Sequence, residues 1–131
     1  MRALLIILVL LALPACSKED PSVSLLSQHG WTVEKELSSG QMSFSKKLTG
    51  NPELFYQRAS RDIGLDLGVA EGKEVSLRFF LLTERGAKGG ARIMATVALF
   101  EGRPVGAWLY TDAPVAPGIF SLKDKNFAKT L

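Results

Sequence analysis

Residues 91–111 read ARIMATVALFEGRPVGAWLYT. From Ile93 to Phe100 the run is apolar apart from Thr96, and after Glu101-Gly102 a second apolar run ends at Tyr110. An apolar segment of this length, bounded by turn residues and rich in β-branched and aromatic side chains, reads as a buried strand. Two such segments separated by two residues form a β-hairpin. Pro104 cannot donate to a ladder, so it belongs at the start of its strand or on a sheet edge. With Glu101 and Gly102 as the loop, Phe100 faces Arg103, Val97 faces Gly106 and Ala95 faces Trp108. The large Trp108 ring then meets a small neighbour, as core packing favours. This register puts Ile93, Ala95, Trp108 and Tyr110 on one face. Met94, Phe100, Val105 and Leu109 fall on the other, flanked by Arg92 and Arg103.

Working outward, residues 74–83, EVSLRFFLLT, add a third strand rich in β-formers. Upstream, NPELFYQRASRDIG (51–64) has helix punctuation: Asn51 as N-cap, Pro52 at N1, Glu53 at the positive end and Gly64 as the stop. Phe55, Ala59 and Ile63 recur on one helical face. WTVEKEL (31–37) alternates Trp31, Val33, Lys35 and Leu37 against Thr32, Glu34 and Glu36, as a half-buried strand does. SVSLLSQHGW suggests a short helix capped by Ser22 or Ser24, burying Leu25 and Leu26, with Gly30 as the C′ residue. Residues 38–50 read as a loop or ragged strand. TDAPVAPG breaks order, and IFSLKDKNFAKTL ends as a short strand or frayed tail. The fold class is therefore α+β: an antiparallel sheet of about four strands, ordered helix, strand, helix and three-stranded meander, with the helices on one face. Residues 24–131 form a single domain.

The first fifteen residues have a different origin. Met1 and Arg2 give a positive amino end, and Ala3 to Leu13 are eleven apolar residues. A helix of that length covers roughly 17 Å, short of the ~30 Å hydrocarbon core of a bilayer. Residues 1–15 thus read as a signal peptide rather than a span. Leu13-Pro14-Ala15-Cys16 departs from the small-x-small pattern of an ordinary cleavage site and resembles a bacterial lipobox, with the chain's one cysteine at +1. A thiol is the most readily alkylated of the common nucleophilic side chains. The resemblance implies a diacylglycerol thioether on Cys16 and a new amino terminus there. Two acyl chains give lasting attachment where one does not. Residues 16–23 then serve as a polar tether, and the expected location is extracytoplasmic, on the cell membrane.

Composition narrows the functional classes. Arg2 is the one charged residue among the first fifteen, so the remaining 116 residues carry 15 basic and 13 acidic side chains, a net charge of +2. That balance does not suggest a nucleic-acid partner. His29 is the sole histidine, too few for a His-pair zinc site, and its expected place is the last turn of the first helix. Glu34 and Glu36 lie two apart on a strand and read as a solvated face, there being no D-x-D-x-D-G loop. Asp62 and Asp66 straddle a helix end, with Asp66 placed to brace the connector through backbone N–H groups. Gly72-Lys73 lacks the remainder of a phosphate-binding loop. Arg85, Lys88 and Arg92 surround three glycines, a composition shared by anion-binding loops and mobile hairpin loops. Lys46, Lys47, Lys123, Lys125 and Lys129 read as solvated, or as contacts for anionic headgroups. No cofactor, metal or catalytic residue is implied.

The order Gly30-Trp31-x-Val33, Gly64-x-Asp66-Leu67, Gly72-Lys73-x-Val75, an apolar strand, Glu101-Gly102 and Val105-Gly106 resembles domain of unknown function 4830, a family of small lipoproteins in Gram-positive bacteria. The resemblance covers almost all of residues 24–122. Ala107 stands where a second glycine is expected, and Pro117-Gly118-Ile119-Phe120 matches loosely. The resemblance implies an extracytoplasmic domain and no reaction.

Two functions follow as expectations: a membrane-anchored, non-enzymatic module that binds an envelope protein or ligand, or an anchored enzyme whose site is not visible in the sequence. For the first, the candidate partner surface is Arg92, Met94, Phe100, Arg103, Val105 and Leu109, an apolar centre with an arginine rim. The competing expectation is that residues 38–50, with Met42 and Phe44, dock over that face.

Overall fold

The computed structural model describes residues 19–86, 90–115 and 118–131. The expected signal peptide, Cys16, the first residues of the expected tether, and Lys88 lie outside the described residues. The elements run α1 (Pro21–Gln28), β1 (Val33–Ser43), α2 (Glu53–Asp62), a 3₁₀ turn (Leu67–Ala70), β2 (Glu74–Arg85), β3 (Arg92–Phe100), β4 (Arg103–Thr111), β5 (Ile119–Phe120) and α3 (Lys125–Ala128). The fold is α+β. All five strands form one antiparallel sheet in sequence order, β1 beside β2, although α2 intervenes between them.

The hairpin turns where expected. Glu101 and Gly102 both have positive φ, 51° and 76°, as a two-residue type I′ turn requires, and Phe100 pairs with Arg103. The register beyond differs by one residue. Leu99 pairs with Pro104 and Ala98 with Gly106, so Val105 is an extra residue on β4. Past this bulge Thr96 faces Trp108 and Ala95 faces Leu109. Because successive strand residues point to opposite faces, that single insertion moves Trp108 and Leu109 to the faces opposite those expected.

Two cores result, one on each face of the sheet. The first contains Phe80, Leu82, Ile93, Ala95, Val97, Ala107 and Leu109, covered by Leu26 of α1, Trp31, Leu122 and Ala128 of α3. The second contains Val75, Leu77, Ala98 and Trp108, covered by Phe44, Leu48, Ala59 of α2 and Leu67 and Ala70 of the 3₁₀ turn. Helical elements therefore cover both faces, a correction to the one-sided arrangement. Its physical cause is the near-continuous apolar character of β2 to β4, which leaves neither face fit for water.

Local chemistry fixes how the helices dock. α1 begins at Pro21 with Asp20 as its N-cap, its carboxylate accepting from Ser22 N at 3.0 Å. The cap is thus neither Ser22 nor Ser24, and Asp20 of the expected tether is part of the fold. Ser22 is buried instead. At the other end Trp31 N donates to Leu26 O and Gly30 N to Ser27 O, with Gly30 at φ 81°, the Schellman pattern expected of a C′ glycine. The same turn delivers Trp31 to the core, where its indole N–H donates to Leu122 O at 2.8 Å. The carboxy-terminal segment is consequently built in, ending in α3.

α2 starts one residue later than expected, with Pro52 rather than Asn51 at the cap position and no side-chain cap bond; the Asn51–Pro52 peptide is cis. The helix lies along the outer edge of β4. Ser60 Oγ accepts from Ala107 N at 3.1 Å, supplying a partner that a neighbouring strand would otherwise provide. Beyond that point β5 takes over, pairing with Leu109 and Tyr110. Ala59 leans into the second core and Ile63 against the first.

Candidate functional site

On the second face of the sheet the covering elements leave a cleft. Met42, Leu77, Phe79, Thr96, Trp108, Tyr110 and Ile119 line it from β1 to β5, with Tyr56 of α2 as a wall, and its volume is about 360 Å³. That is within the ~300–1,000 Å³ range of small-molecule sites. The Tyr56 and Trp108 rings stack at 4.1 Å between centroids and 13° between planes, an offset or parallel contact that fixes both side chains. No lining residue carries a formal charge at neutral pH, and the polar side-chain groups among them are the hydroxyls of Tyr56, Thr96 and Tyr110 and the indole N–H of Trp108. Burial raises both phenols above their ordinary range, and the Glu53 carboxylate adds to the effect at Tyr56. Such a site suits a neutral, largely apolar or aromatic group offered hydroxyl hydrogen bonds.

The sequence singles out none of these residues as a site, and the bulge explains why. The expected register set Trp108 and Tyr110 on one face with Ile93 and Ala95, whereas the bulge places them beside Thr96 and Met94. Thr96, the one polar residue in the β3 run, carried the signal.

The six residues expected to form a partner surface do not form one patch. Leu109 lies in the first core with no exposure, displaced there by the Val105 bulge. Met94 shares the face of Trp108 and is buried. Phe100 and Val105 sit against the second core, which includes Phe44 and Leu48 from the 38–50 region. Lys73 Nζ further covers the Phe100 ring at 5.2 Å. Arg103 is exposed, and Arg92 pairs with Asp112, Nε to Oδ2 at 2.9 Å.

The charged candidates serve the fold. Glu36 takes two bonds from Arg78, at 3.1 and 2.7 Å, and Glu34 one from Arg85 at 2.9 Å. Bulges in β1 between Val33 and Lys35 and between Glu36 and Ser38 break the simple alternation. Arg78 was not anticipated; it also bonds Asp20 at 2.5 Å, so one guanidinium ties β1 and the α1 cap to β2. Both carboxylates are held below their usual range chiefly by that guanidinium. Asp66 braces its connector as expected, accepting from Gly68 N at 2.8 Å and from Gln57 Nε2 at 2.6 Å, and these bonds lower its pKa. Buried Gln57 completes the clamp by accepting from Leu67 N at 2.8 Å.

His29 caps α1, its Nδ1 donating to Leu25 O at 3.0 Å. Lys125 lies 5.4 Å over the Trp31 ring and bonds Gly30 O. Lys46, Lys47, Lys123 and Lys129 are exposed.

Other hollows are weaker candidates. One of about 290 Å³ contains Arg58, Asp62, Ser121 and Asp124, where the Ser121 hydroxyl donates to Asp62 and Asp124 Oδ2 accepts from Ser121 N at 2.9 Å. These bonds fold the turn before α3. A larger one, about 470 Å³, runs along Glu19, Asp20, Val23, Ser24, Ser27 and Gln28 of the α1 region, a single polar wall beside the first described residue. Among the described residues no group of three or more His, Cys, Asp or Glu side chains is placed to hold a metal ion, and no helix is long and apolar enough to cross a membrane.

Fold and cleft together define a small α+β domain with an apolar, aromatic-lined cavity on an antiparallel sheet. Residues 25–109 match the family model described as Domain of unknown function (DUF4830), and the chain belongs to that family. The match closes at Leu109, before the loosely resembling Pro117–Phe120 segment. No curated protein and no solved structure matches the chain.

Proposed function

We propose that this protein is an extracytoplasmic lipoprotein, anchored through a diacylglycerol thioether on Cys16, whose domain is a non-enzymatic binding module. The observation that carries the binding role is the cleft: a cavity of about 360 Å³ walled by Tyr56, Trp108, Tyr110, Phe79 and Ile119 and free of charged side chains. Burial there rewards apolar contact at ~25 cal/mol per Å², and aromatic walls add directional contacts. Proton transfer at neutral pH would need a group titrating nearby, and the phenols are shifted away from it. Anchoring is supported by the apolar segment Ala3 to Leu13 and the Leu13-Pro14-Ala15-Cys16 sequence.

The test uses the full chain expressed in bacteria and extracted from membranes. Its intact mass should show loss of residues 1–15 and a gain of acyl mass, whereas an unmodified Cys16 thiol would refute the anchor. The same material is titrated with phenol as a neutral aromatic probe. The methyl resonances of Met42, Thr96 and Ile119 should shift along one saturable curve, and Tyr110→Ala should abolish saturation while leaving the circular dichroism unchanged. A linear, non-saturating response in the native protein would refute the cleft.

A further inference from the structure

The two edges of the sheet are treated differently. On β4 the outer groups are met by Ser60 and by β5. On the opposite side β1 is the edge strand, eleven residues long, and only Val33 and Met42 within it are more than slightly sheltered. Its amino-terminal half carries the usual protection of an edge: two register irregularities and the charges of Glu34, Lys35 and Glu36. Its carboxy-terminal half, SSGQMS at residues 38–43, has unbroken register with β2 and no charge or proline.

The direction of its free groups follows from alternation. Phe44 N donates to Lys73 O at 3.0 Å, which makes that a hydrogen-bonded pair. Stepping back by two along the register from Ser43 with Glu74 to Ser38 with Phe79, Met42, Gly40 and Ser38 face β2. Ser39, Gln41 and Ser43 therefore present N–H and C=O groups away from the sheet, and all three are exposed.

We propose that this edge is the seat of a second copy of the chain, added antiparallel about a two-fold axis at Gln41. That axis pairs Gln41 with Gln41 of the second copy and each Ser39 with the opposing Ser43. It uses every outward residue of the segment, giving about six main-chain hydrogen bonds. An axis at Gly40 or Met42 leaves one outward residue of each copy unmatched. The side chains fit the same axis. Gly40 then lies opposite the second copy's Met42. A Cβ at Gly40 would have no atom within 4 Å, so the second copy's Met42 side chain meets no obstruction there. Charge agrees too. Antiparallel docking brings the Glu34–Glu36 end of one β1 beside exposed Lys46 and Lys47 of the other, whereas parallel docking would set like charges together. The interface is isologous, as closed homodimers require.

The experiment uses the full chain in detergent micelles. Sedimentation over a dilution series should show a dimer. Gln41→Pro removes an outward N–H and leaves the bonds to β2 in place, so it should raise the dissociation constant by at least about tenfold with unchanged circular dichroism. Independently, an equimolar mixture of light and heavy-nitrogen-labelled native chains is treated with a zero-length carbodiimide. Cross-linked peptides should join Glu34 or Glu36 of one isotope to Lys46 or Lys47 of the other, a readout that holds even where the proline variant fails to fold. A native chain that stays monomeric throughout, a dimer unaffected in a folded Gln41→Pro variant, or a dimer without mixed-isotope cross-links at this edge would overturn the proposal. So would a monomer whose β1 edge pairs only with a strand of a different protein.

Discussion

At Gly106 a Cβ would stand 2.3 Å from Leu67 Cδ2 and 2.8 Å from Ser60 Oγ. Neither neighbour is free to yield. Leu67 has no exposure, its N–H is held by Gln57, and Ser60 is bonded to Ala107 N and Tyr56 O. The glycine is a point of close approach between the β4 edge and the α2 layer, not a turn residue. Gly106→Ala should destabilise the domain by about 1–3 kcal/mol, the usual effect of overpacking, read as a lower denaturant midpoint with unchanged slope. The preceding residue shows what a sequence hides. The Glu101-Gly102 turn was legible because two positive φ angles demand special residues, and the core membership of Ile93, Ala95 and Val97 was legible from their type. The extra residue at Val105 was not, since a bulge leaves the apolar pattern intact and changes only which face each side chain meets. Trp108, Leu109 and the aromatic cleft all depended on that one residue.

Between elements, Arg78 does what no hydrophobic contact could. It spans β1 and the α1 cap, and its guanidinium lies 4.9 Å over the Phe80 ring. Helices and strands themselves were largely readable, because caps, C′ glycine and apolar runs are local signals. Long-range polar links were not: Glu36 and Arg78 are 42 positions apart, and the bulges in β1 hide which Glu meets which Arg. The pairing has a pH signature. Asp20 and Glu36 have lowered pKa values in the folded chain, chiefly through bonds from Arg78. Their contribution is complete above the unfolded carboxyl value of about 4 and is lost as pH falls through the lower folded value. Asp66 and Asp112 act in the same direction. Asp20 and Glu36 are partly exposed, so each of their pairs with Arg78 contributes at most about 1 kcal/mol. Arg78→Met should lower Tm at neutral pH, and the gap to the native protein should shrink as pH drops towards about 2. Thermal unfolding by circular dichroism at several pH values checks this. A gap independent of pH would assign Arg78 to packing on Phe80 alone.

For the whole molecule, the place of Asp20 in the fold sets how the domain would stand on its proposed anchor. The polar stretch at residues 16–23 looked long enough to be a flexible tether. Asp20, however, caps α1 and binds Arg78, so it belongs to the folded domain. Three residues, Ser17, Lys18 and Glu19, lie between Cys16 and the capping Asp20, a reach of roughly 13–14 Å at full extension. An acylated Cys16 would hold the amino-terminal end of α1 close to the headgroups and restrict which faces of the domain turn outward. This architecture makes a specific demand on truncation. A chain beginning at Ser17 keeps the cap and the ion pair. One beginning at Ser22 keeps every apolar residue of α1, including Leu25 and Leu26, but loses Asp20 and Pro21. Both should fold, because the cores draw mainly on the sheet, Trp31 and α2. The shorter chain should lose about 1 kcal/mol, the ordinary worth of an N-cap, and melt about 4–8 °C lower in a domain of this size. Asp20→Ala in the longer chain should reproduce most of that loss. Equal melting temperatures for the two chains would return Asp20 to the expected tether and remove the reason for a fixed orientation on the proposed anchor.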